Sequence, residues 1–190
     1  MSDDALIPGE GPNANGSVAA NSVDDDSAHY THSVLRERIV EHVFVGEALR
    51  LLWRRNITDV EVLRSEFDAG GYDLVMSRGK VVRHIQFKTM TVGGKATGVS
   101  IGLKLMKKPS GCVIWTLVTP GLELQSFRWF GGAPGEELPD IAGMKITKHT
   151  KANAHGVKTE KPQHRVVPVK AFTALPTLDT VLEALFGPLP

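Results

Sequence analysis

The chain has 190 residues, of which 42% are apolar and 23% are charged, and this length suffices for one folded domain with a buried core. Cys112 is its only cysteine, which excludes an internal disulfide framework and a zinc site built from several cysteines. The N-terminus lacks the pattern of a signal peptide, and no apolar stretch approaches the roughly 18 residues that span a bilayer. We therefore expect a soluble cytoplasmic protein with no membrane partner.

Residues 1–28 form an acidic head with six Asp or Glu and no Lys or Arg. Since the whole chain has a formal net charge of +1, subtracting the −6 of the head leaves about +7 on the remainder. The composition of the head predicts disorder, and residues 29–190 are predicted to form the folded domain. The head is interpreted either as a solubilising leader or as an electrostatic screen for a basic surface.

A helix is predicted from about residue 33 to residue 55, where basic residues suit the negative end of the helix dipole. The helical period places the Glu47 carboxylate on an apolar stripe with Val40, Phe44 and Leu51. Glu47 is therefore expected to face inward, whereas Glu37 and Glu41 are expected on another face.

The next segment is predicted to be β-rich, with a strand at 59–64 and a hairpin formed by 72–76 and 81–89 across a turn at 77–80. Two further strands are predicted at 112–118 and 122–130.

The remaining segments carry weaker patterns. Residues 99–105 alternate like a strand but lie where many α/β domains place a helix, so both interpretations stay open. About forty residues from Gly131 onward are predicted to be irregular, and a short helix is predicted around 178–185.

Four polar side chains are predicted to share one face of the hairpin. A turn centred on Arg78 and Gly79 would pair Asp73 with His84. Because side chains alternate along a strand, His84, Gln86 and Lys88 then lie on the same face as Asp73. A bulge or an odd loop length would dissolve this cluster.

These residue types suit metal-assisted hydrolysis of phosphodiesters. Asp73 and Gln86 offer the oxygen ligands that Mg²⁺ prefers, with Mn²⁺ as a substitute, and Glu47 could complete the site from the helix. Lys88 would orient or deprotonate water, or stabilise negative charge. His84 is an auxiliary candidate for proton transfer.

Glu47, Gly-Tyr-Asp73-Leu-Val and His-Ile-Gln86-Phe-Lys88 together resemble the motif pattern of the PD-(D/E)XK nuclease superfamily. The Gln-x-Lys form is similar to that of restriction endonucleases of methylated DNA and of some junction resolvases. The resemblance implies an α/β fold with an αβββαβ core, a central mixed sheet flanked by helices, one or two Mg²⁺ ions, and cleavage of nucleic acid in defence or repair. Residues 109–151 resemble bacterial proteins with no activity attached.

A basic segment between Lys145 and Lys170 carries seven Lys or Arg against one acid, Glu160. This composition is typical of phosphate binding, although a solvated basic loop has the same composition. The candidate nucleic-acid-binding residues are Lys145, Lys148, His149, Lys151, Lys158, Lys161 and Arg165.

Three functions are compatible with these patterns. The first is a Mg²⁺-dependent endonuclease acting on DNA rather than RNA, as a homodimer if two strands are cut by one site per chain. The second is an inactive module of the same fold that binds nucleic acid or a protein. The third is an interaction protein whose basic segment contacts an acidic partner.

Overall fold

The computed structural model describes residues 32–67, 70–150, 152 and 156–190. The acidic head of residues 1–28 lies outside the described residues, so its predicted disorder stays a prediction. The described helices are α1 (Ser33–Arg54) and α2 (Leu178–Phe186). The described strands are β1 (Val60–Arg64), β2 (Leu74–Arg78), β3 (Val81–Thr91), β4 (Gly98–Gly102), β5 (Gly111–Val118), β6 (Leu124–Gly131), β7 (Ile146–Lys148), β8 (Glu160–Pro168) and β9 (Thr173–Leu175).

Six of the strands form a mixed sheet in the order β1-β2-β3-β5-β6-β9. Neighbouring strands are antiparallel except β3 and β5, which are parallel. The predicted α/β fold with a central mixed sheet is thereby confirmed. The parallel pair requires a crossover connection. That connection contains β4 and a 3₁₀-helix (Leu103–Lys107), which resolves the open interpretation of residues 99–105.

The two faces of the mixed sheet are covered differently. Both helices pack on one face, in a core that includes Phe44, Leu52, Ile85, Ile114 and Leu182. A second sheet, of order β4-β8-β7, packs on the other face through a smaller core that includes Ile101, Val113, Phe130 and Val167. Within the described ranges, neither α1 nor α2 combines the length and the apolar composition that a membrane-spanning helix needs.

The prediction of an irregular segment after Gly131 is wrong over part of its length, because β7 and β8 lie within it. β8 contains Lys161, Pro162, Gln163 and His164, so its sequence lacks the apolar alternation by which a strand is recognised. It forms because β4 and β7 pair with it on either side, and the pairing with β4 joins residues distant in sequence.

The β2–β3 hairpin turns at Gly79 and Lys80, since Arg78 pairs with Val81. Gly79 has φ 55°, and the two-residue turns that suit a hairpin favour glycine at such a position. The turn lies one residue later than predicted, so His84 pairs with Val75 and not with Asp73. A shift of two residues in the register preserves the alternation of faces, and the predicted polar face therefore survives.

Arg83 carries a fully buried guanidinium into the core beneath β3. Its Nε donates a hydrogen bond to the carbonyl of Leu185 at 2.8 Å, and Nη2 donates to Ala184 and Gly132 at 2.9 and 3.1 Å. The guanidinium also lies 5.3 Å from the centre of the Trp129 ring. These carbonyls belong to the last turn of α2 and to the residue after β6, so one cation joins three elements and suits the negative end of the helix.

Burial also acts on the titration of two groups in this core. It lowers the pKa of the Arg83 guanidinium. It raises the pKa of the Cys112 thiol to about 12, which keeps the thiol protonated at neutral pH. Cys112 is therefore a packing residue and not a nucleophile.

Replacing Arg83 with Met is expected to lower the free energy of unfolding by about 3 kcal/mol, because three buried carbonyls lose a charged donor. Arg83→Lys should lose less, since an ammonium still donates to some of these oxygens. Urea denaturation measures both changes. Arg50→Met is the matched control, because its exposed ion pair with Glu47 is worth at most about 1 kcal/mol. An equal loss in both Met variants would contradict this role of Arg83.

Candidate functional site

The β3 strand presents two chemically different faces. Arg83, Ile85 and Phe87 are buried on the side of the helices, whereas Gln86 and Lys88 alternate with them and point to the opposite side. The parallel register places Gln86 beside Val113, and Val113 belongs to the core under the second sheet. The polar residues of β3 therefore lie on the face that carries the second sheet, away from both helices.

Asp73 lies immediately before β2 and reaches across to β3. Its backbone N–H donates to the carbonyl of Ile85 at 2.8 Å, and its Oδ2 accepts a hydrogen bond from the backbone N–H of Phe87 at 2.6 Å. These two bonds flank Gln86 on β3. The structure thus places Asp73 next to Gln86 on β3, and not opposite His84 as predicted.

The Gln86 side chain carries a buried hydrogen-bond acceptor, its amide oxygen Oε1. Its Oε1 atom accepts no hydrogen bond from any described residue. An unsatisfied buried carbonyl oxygen costs about 1–3 kcal/mol. Gln86 Oε1 is one of six buried side-chain polar atoms that have no hydrogen-bond partner among the described residues, and the only carbonyl oxygen of the six. A ligand that supplies a cation or a donor at this point would offset that cost.

Lys88 follows two residues later on the same face, beside Trp115 of β5. Its side chain is half-buried, and it forms no ion pair with a carboxylate in the described part of the chain. An ammonium that no carboxylate neutralises favours an anionic ligand. Trp115 itself is buried.

A cluster of Tyr72, His84 and Lys108 borders Asp73. The Tyr72 and His84 ring centres are 4.9 Å apart, and the Lys108 ammonium lies 5.3 Å from the Tyr72 ring centre. His84 Nδ1 lies 2.7 Å from the carbonyl of Pro109. A carbonyl oxygen can only accept, so Nδ1 carries the proton and Nε2 of the neutral ring keeps its lone pair.

Gly70 makes room for this cluster. A Cβ atom at Gly70 would lie 2.3 Å from the Tyr72 ring and 2.7 Å from the Lys108 side chain. The close packing of Tyr72 and Lys108 therefore requires a residue without a side chain at position 70.

Glu47 lies apart from these residues. It is on α1, on the helix side of the sheet, where its carboxylate pairs with Arg50 and lines a surface cleft with Leu124 and Thr177. The prediction that Glu47 faces inward is wrong. The buried acid of α1 is Glu41, which accepts hydrogen bonds from Arg38 and Arg64 at 2.9 and 2.8 Å.

The oxygen donors near β3 are few for a divalent metal. Among the described residues no group of three or more His, Cys, Asp or Glu side chains could hold a metal ion. Asp73 and the unsatisfied Oε1 of Gln86 nevertheless supply two oxygen donors on adjacent segments. Mg²⁺ usually keeps several waters and takes one or two protein carboxylates plus substrate phosphates, so the pair fits a weakly held ion.

The predicted nucleic-acid-binding residues are distributed over β7, β8 and their flanking segments. Arg165 donates to the carbonyls of Pro162 and His164 in its own strand and to that of Ala142, so its guanidinium joins β8 to the segment before β7. Lys151 lies outside the described residues. Of the others, Lys161 is half-buried, and the exposed ones are Lys145, Lys148, His149 and Lys158.

The basic character of the segment that builds the candidate site was not among the sequence-based predictions. Asp73 is followed by 49 residues, 74–122, that contain eight Lys or Arg and no Asp or Glu. Lys107 and Lys108 of the crossover belong to this run. A count of acids along the chain would have identified them.

Gln86→Leu is expected to leave the free energy of unfolding unchanged or to raise it by about 1 kcal/mol, because it removes an unsatisfied buried acceptor. Mn²⁺ should raise the Tm of the wild-type protein and not that of this variant. Thermal unfolding with and without Mn²⁺ measures both effects. Gln125→Leu, which replaces an exposed glutamine of β6, should retain the response to Mn²⁺. A full response in Gln86→Leu would exclude Gln86 as a ligand.

The chain matches none of the models of known protein families, and no protein of curated function shows significant similarity to it.

Proposed function

We propose that the protein is a divalent-metal-dependent nuclease that hydrolyses phosphodiester bonds in nucleic acid, with DNA as the favoured substrate. The observation that carries the proposal is the buried Oε1 of Gln86, which has no hydrogen-bond partner among the described residues, in a strand whose next residue, Phe87, donates its backbone N–H to the Asp73 carboxylate. Lys88 lies on the same face of β3 as Gln86. An amide oxygen, a carboxylate and an ammonium are groups that suit such a reaction.

Each of these side chains has a distinct part in the proposed reaction. Asp73 and Gln86 would hold the metal ion, which when bound polarises the scissile phosphate and lowers the pKa of water. Lys88 donates to a phosphate oxygen or to the attacking water and stabilises the negative charge that develops. The Nε2 lone pair of His84 would accept a proton or a hydrogen bond at the border of the site.

The charge distribution supports an anionic substrate. Every acidic or basic residue between positions 74 and 122, apart from His84, is a Lys or an Arg. Lys107 and Lys108, at the end of the crossover, are two of them. Positive side chains on one surface attract the phosphate backbone through the release of counterions. The exposed lysines of β7 and of the segment before β8 add to this charge.

A second candidate function, a binding module without catalysis, is favoured by one observation. Glu47 lies on the helix side of the sheet, so of the two carboxylates predicted to hold the metal only Asp73 lies next to β3. A site with a single carboxylate binds Mg²⁺ weakly and could bind nucleic acid without cutting it.

Asp73→Ala and Lys88→Ala are each expected to reduce cleavage of DNA by at least about 100-fold, because each removes a group that acts on the reacting phosphate. The assay uses single-stranded, double-stranded and branched DNA with Mg²⁺ or Mn²⁺, and with a chelator. Asp59→Ala and Lys80→Ala are the matched controls, since both residues are exposed and lie near the hairpin turn. Activity equal to wild type in either site variant would reject the proposed roles.

Binding without cleavage would distinguish the second function. If wild-type protein shifts DNA in a gel at low salt but no metal supports cutting, the binding module replaces the nuclease. If DNA is neither bound nor cut at low salt, the ligand of the basic surface is a protein and not nucleic acid.

The double substitution Lys107→Gln and Lys108→Gln is expected to reduce the slope of log affinity against log salt concentration by about 2, with affinity lost equally for all sequences. Fluorescence anisotropy with labelled DNA at several salt concentrations measures this slope. Arg54→Gln, at the exposed end of α1 on the other side of the sheet, is the control and should leave the slope unchanged. An unchanged slope in the double variant would remove these lysines from the binding surface.

A further inference from the structure

A row of three side chains crosses the mixed sheet on the face that carries Gln86. Lys88 of β3 pairs with Trp115 of β5, and Trp115 pairs with Arg128 of β6. Residues that pair across neighbouring strands point to the same face of a sheet. The indole of Trp115 is therefore flanked by two cations, the Lys88 ammonium and the Arg128 guanidinium.

The Arg128 guanidinium lies over the Trp115 ring, with its central carbon 4.9 Å from the ring centre. This cation–π contact restricts the position of the guanidinium but does not neutralise its charge. In the part of the chain that the structure describes, Arg128 forms no hydrogen bond or ion pair. Its side chain is half-buried, so a positioned cation keeps its N–H groups for a ligand.

The elements around this row supply no counter-charge to it. The three strands that carry the row, β3, β5 and β6, contain no Asp or Glu. β4, the 3₁₀-helix of the crossover and the 3₁₀-turn Val169–Ala171 contain none either. The one acid of the second sheet, Glu160, begins β8 and lies opposite Lys148. An anionic ligand would supply the negative charge that this part of the fold lacks.

The indole N–H of Trp115 is a third donor in the row. Trp115 is 1% exposed, and its Nε1 has no acceptor among the residues that the structure describes. The indole of Trp129, on the helix side of the sheet, instead donates to the carbonyl of Gly131 at 3.2 Å. A buried donor without an acceptor destabilises a fold, and a ligand that offers oxygen atoms removes this cost.

We propose that Lys88 and Arg128 bind one phosphate group between them, next to the Trp115 indole. The backbones of β3 and β6 are two strand spacings apart, about 10 Å, and two long side chains can close around a phosphate over that distance. Phosphate suits the pair because its oxygens accept from an ammonium and from two N–H groups of a guanidinium at once. Arg128 thereby becomes a binding residue of the candidate site.

The inference rests on the proposed function only for the source of the phosphate. In a nuclease this group is a phosphodiester of the DNA backbone, whereas free phosphate offers the same oxygens. Metal binding by Asp73 and Gln86 is not required, because Lys88 and Arg128 donate to the phosphate directly. Phosphate binding can therefore be measured in a chelator, where cleavage is absent.

The test follows the indole N–H signals of the three tryptophans by NMR in the isotope-labelled full chain. Inorganic phosphate is added in one arm and a short single-stranded DNA in the other, both with a chelator and at constant ionic strength. The Trp115 signal should shift and saturate, whereas the signals of exposed Trp53 and of Trp129 should stay in place. Trp53→Phe and Trp129→Phe assign the signals. Saturation by DNA identifies a backbone phosphate, and saturation by inorganic phosphate alone identifies a free phosphate.

Substitutions of Arg128 test its part in the subsite. Arg128→Gln should weaken phosphate affinity by at least about tenfold, because charge-assisted hydrogen bonds are lost. Arg128→Lys should lose less, since it keeps the charge but not the planar group of donors. Arg54→Gln, at the exposed end of α1, is the control and should bind phosphate like the wild type. A dispersed NMR spectrum shows that each variant is folded.

The proposal is overturned if neither ligand moves the Trp115 signal, if chloride moves it equally, or if folded Arg128→Gln binds phosphate as tightly as the wild type. These outcomes differ from failure of the proposed function. A chain that binds phosphate through Arg128 but cuts no DNA with any metal contradicts the nuclease and supports the subsite. A chain that cuts DNA while Arg128→Gln keeps full phosphate affinity contradicts the subsite alone.

Discussion

The buried guanidinium of Arg83 fixes the relation between α2, β3 and β6. It donates to two carbonyls of the last helical turn and to one beyond β6, and none of the described residues forms an ion pair with it. A cation in this position can be accommodated because the carbonyls at a helix C-terminus are unsatisfied and carry partial negative charge. Once Arg83 points to the helices, alternation along β3 sends Gln86 and Lys88 to the other face. Burial of Arg83 on the helix side of β3 therefore also fixes the face of β3 on which the candidate site lies.

The polar face of β3 is costly for stability in the isolated chain. The half-buried side chain of Lys88 gains no carboxylate partner among the described residues, and the buried amide oxygen of Gln86 gains no donor there. Apolar side chains at these positions would pack against the second sheet at no such cost. The arrangement becomes understandable when a cation and an anion occupy the site together, because each then satisfies one of the two groups.

Periodicity predicted most of the elements, because α1, the hairpin and the β5–β6 pair carry their pattern in local sequence. It failed where long-range partners decide the outcome. Glu41 is buried because Arg64 on β1 reaches it, and no helical pattern reveals a partner 23 residues away. β8 forms because β4 and β7 flank it. The hairpin register was wrong by two residues because either of two turn positions suits Arg78-Gly79-Lys80, yet the face of Asp73 was still predictable from parity.

α1 carries two apolar stripes, and this explains why its orientation was difficult to predict from sequence. The stripe through Phe44 packs against the sheet, whereas the stripe through Leu35 and Trp53 faces outward. The sheet thus separates an outer helical surface from the polar face of β3.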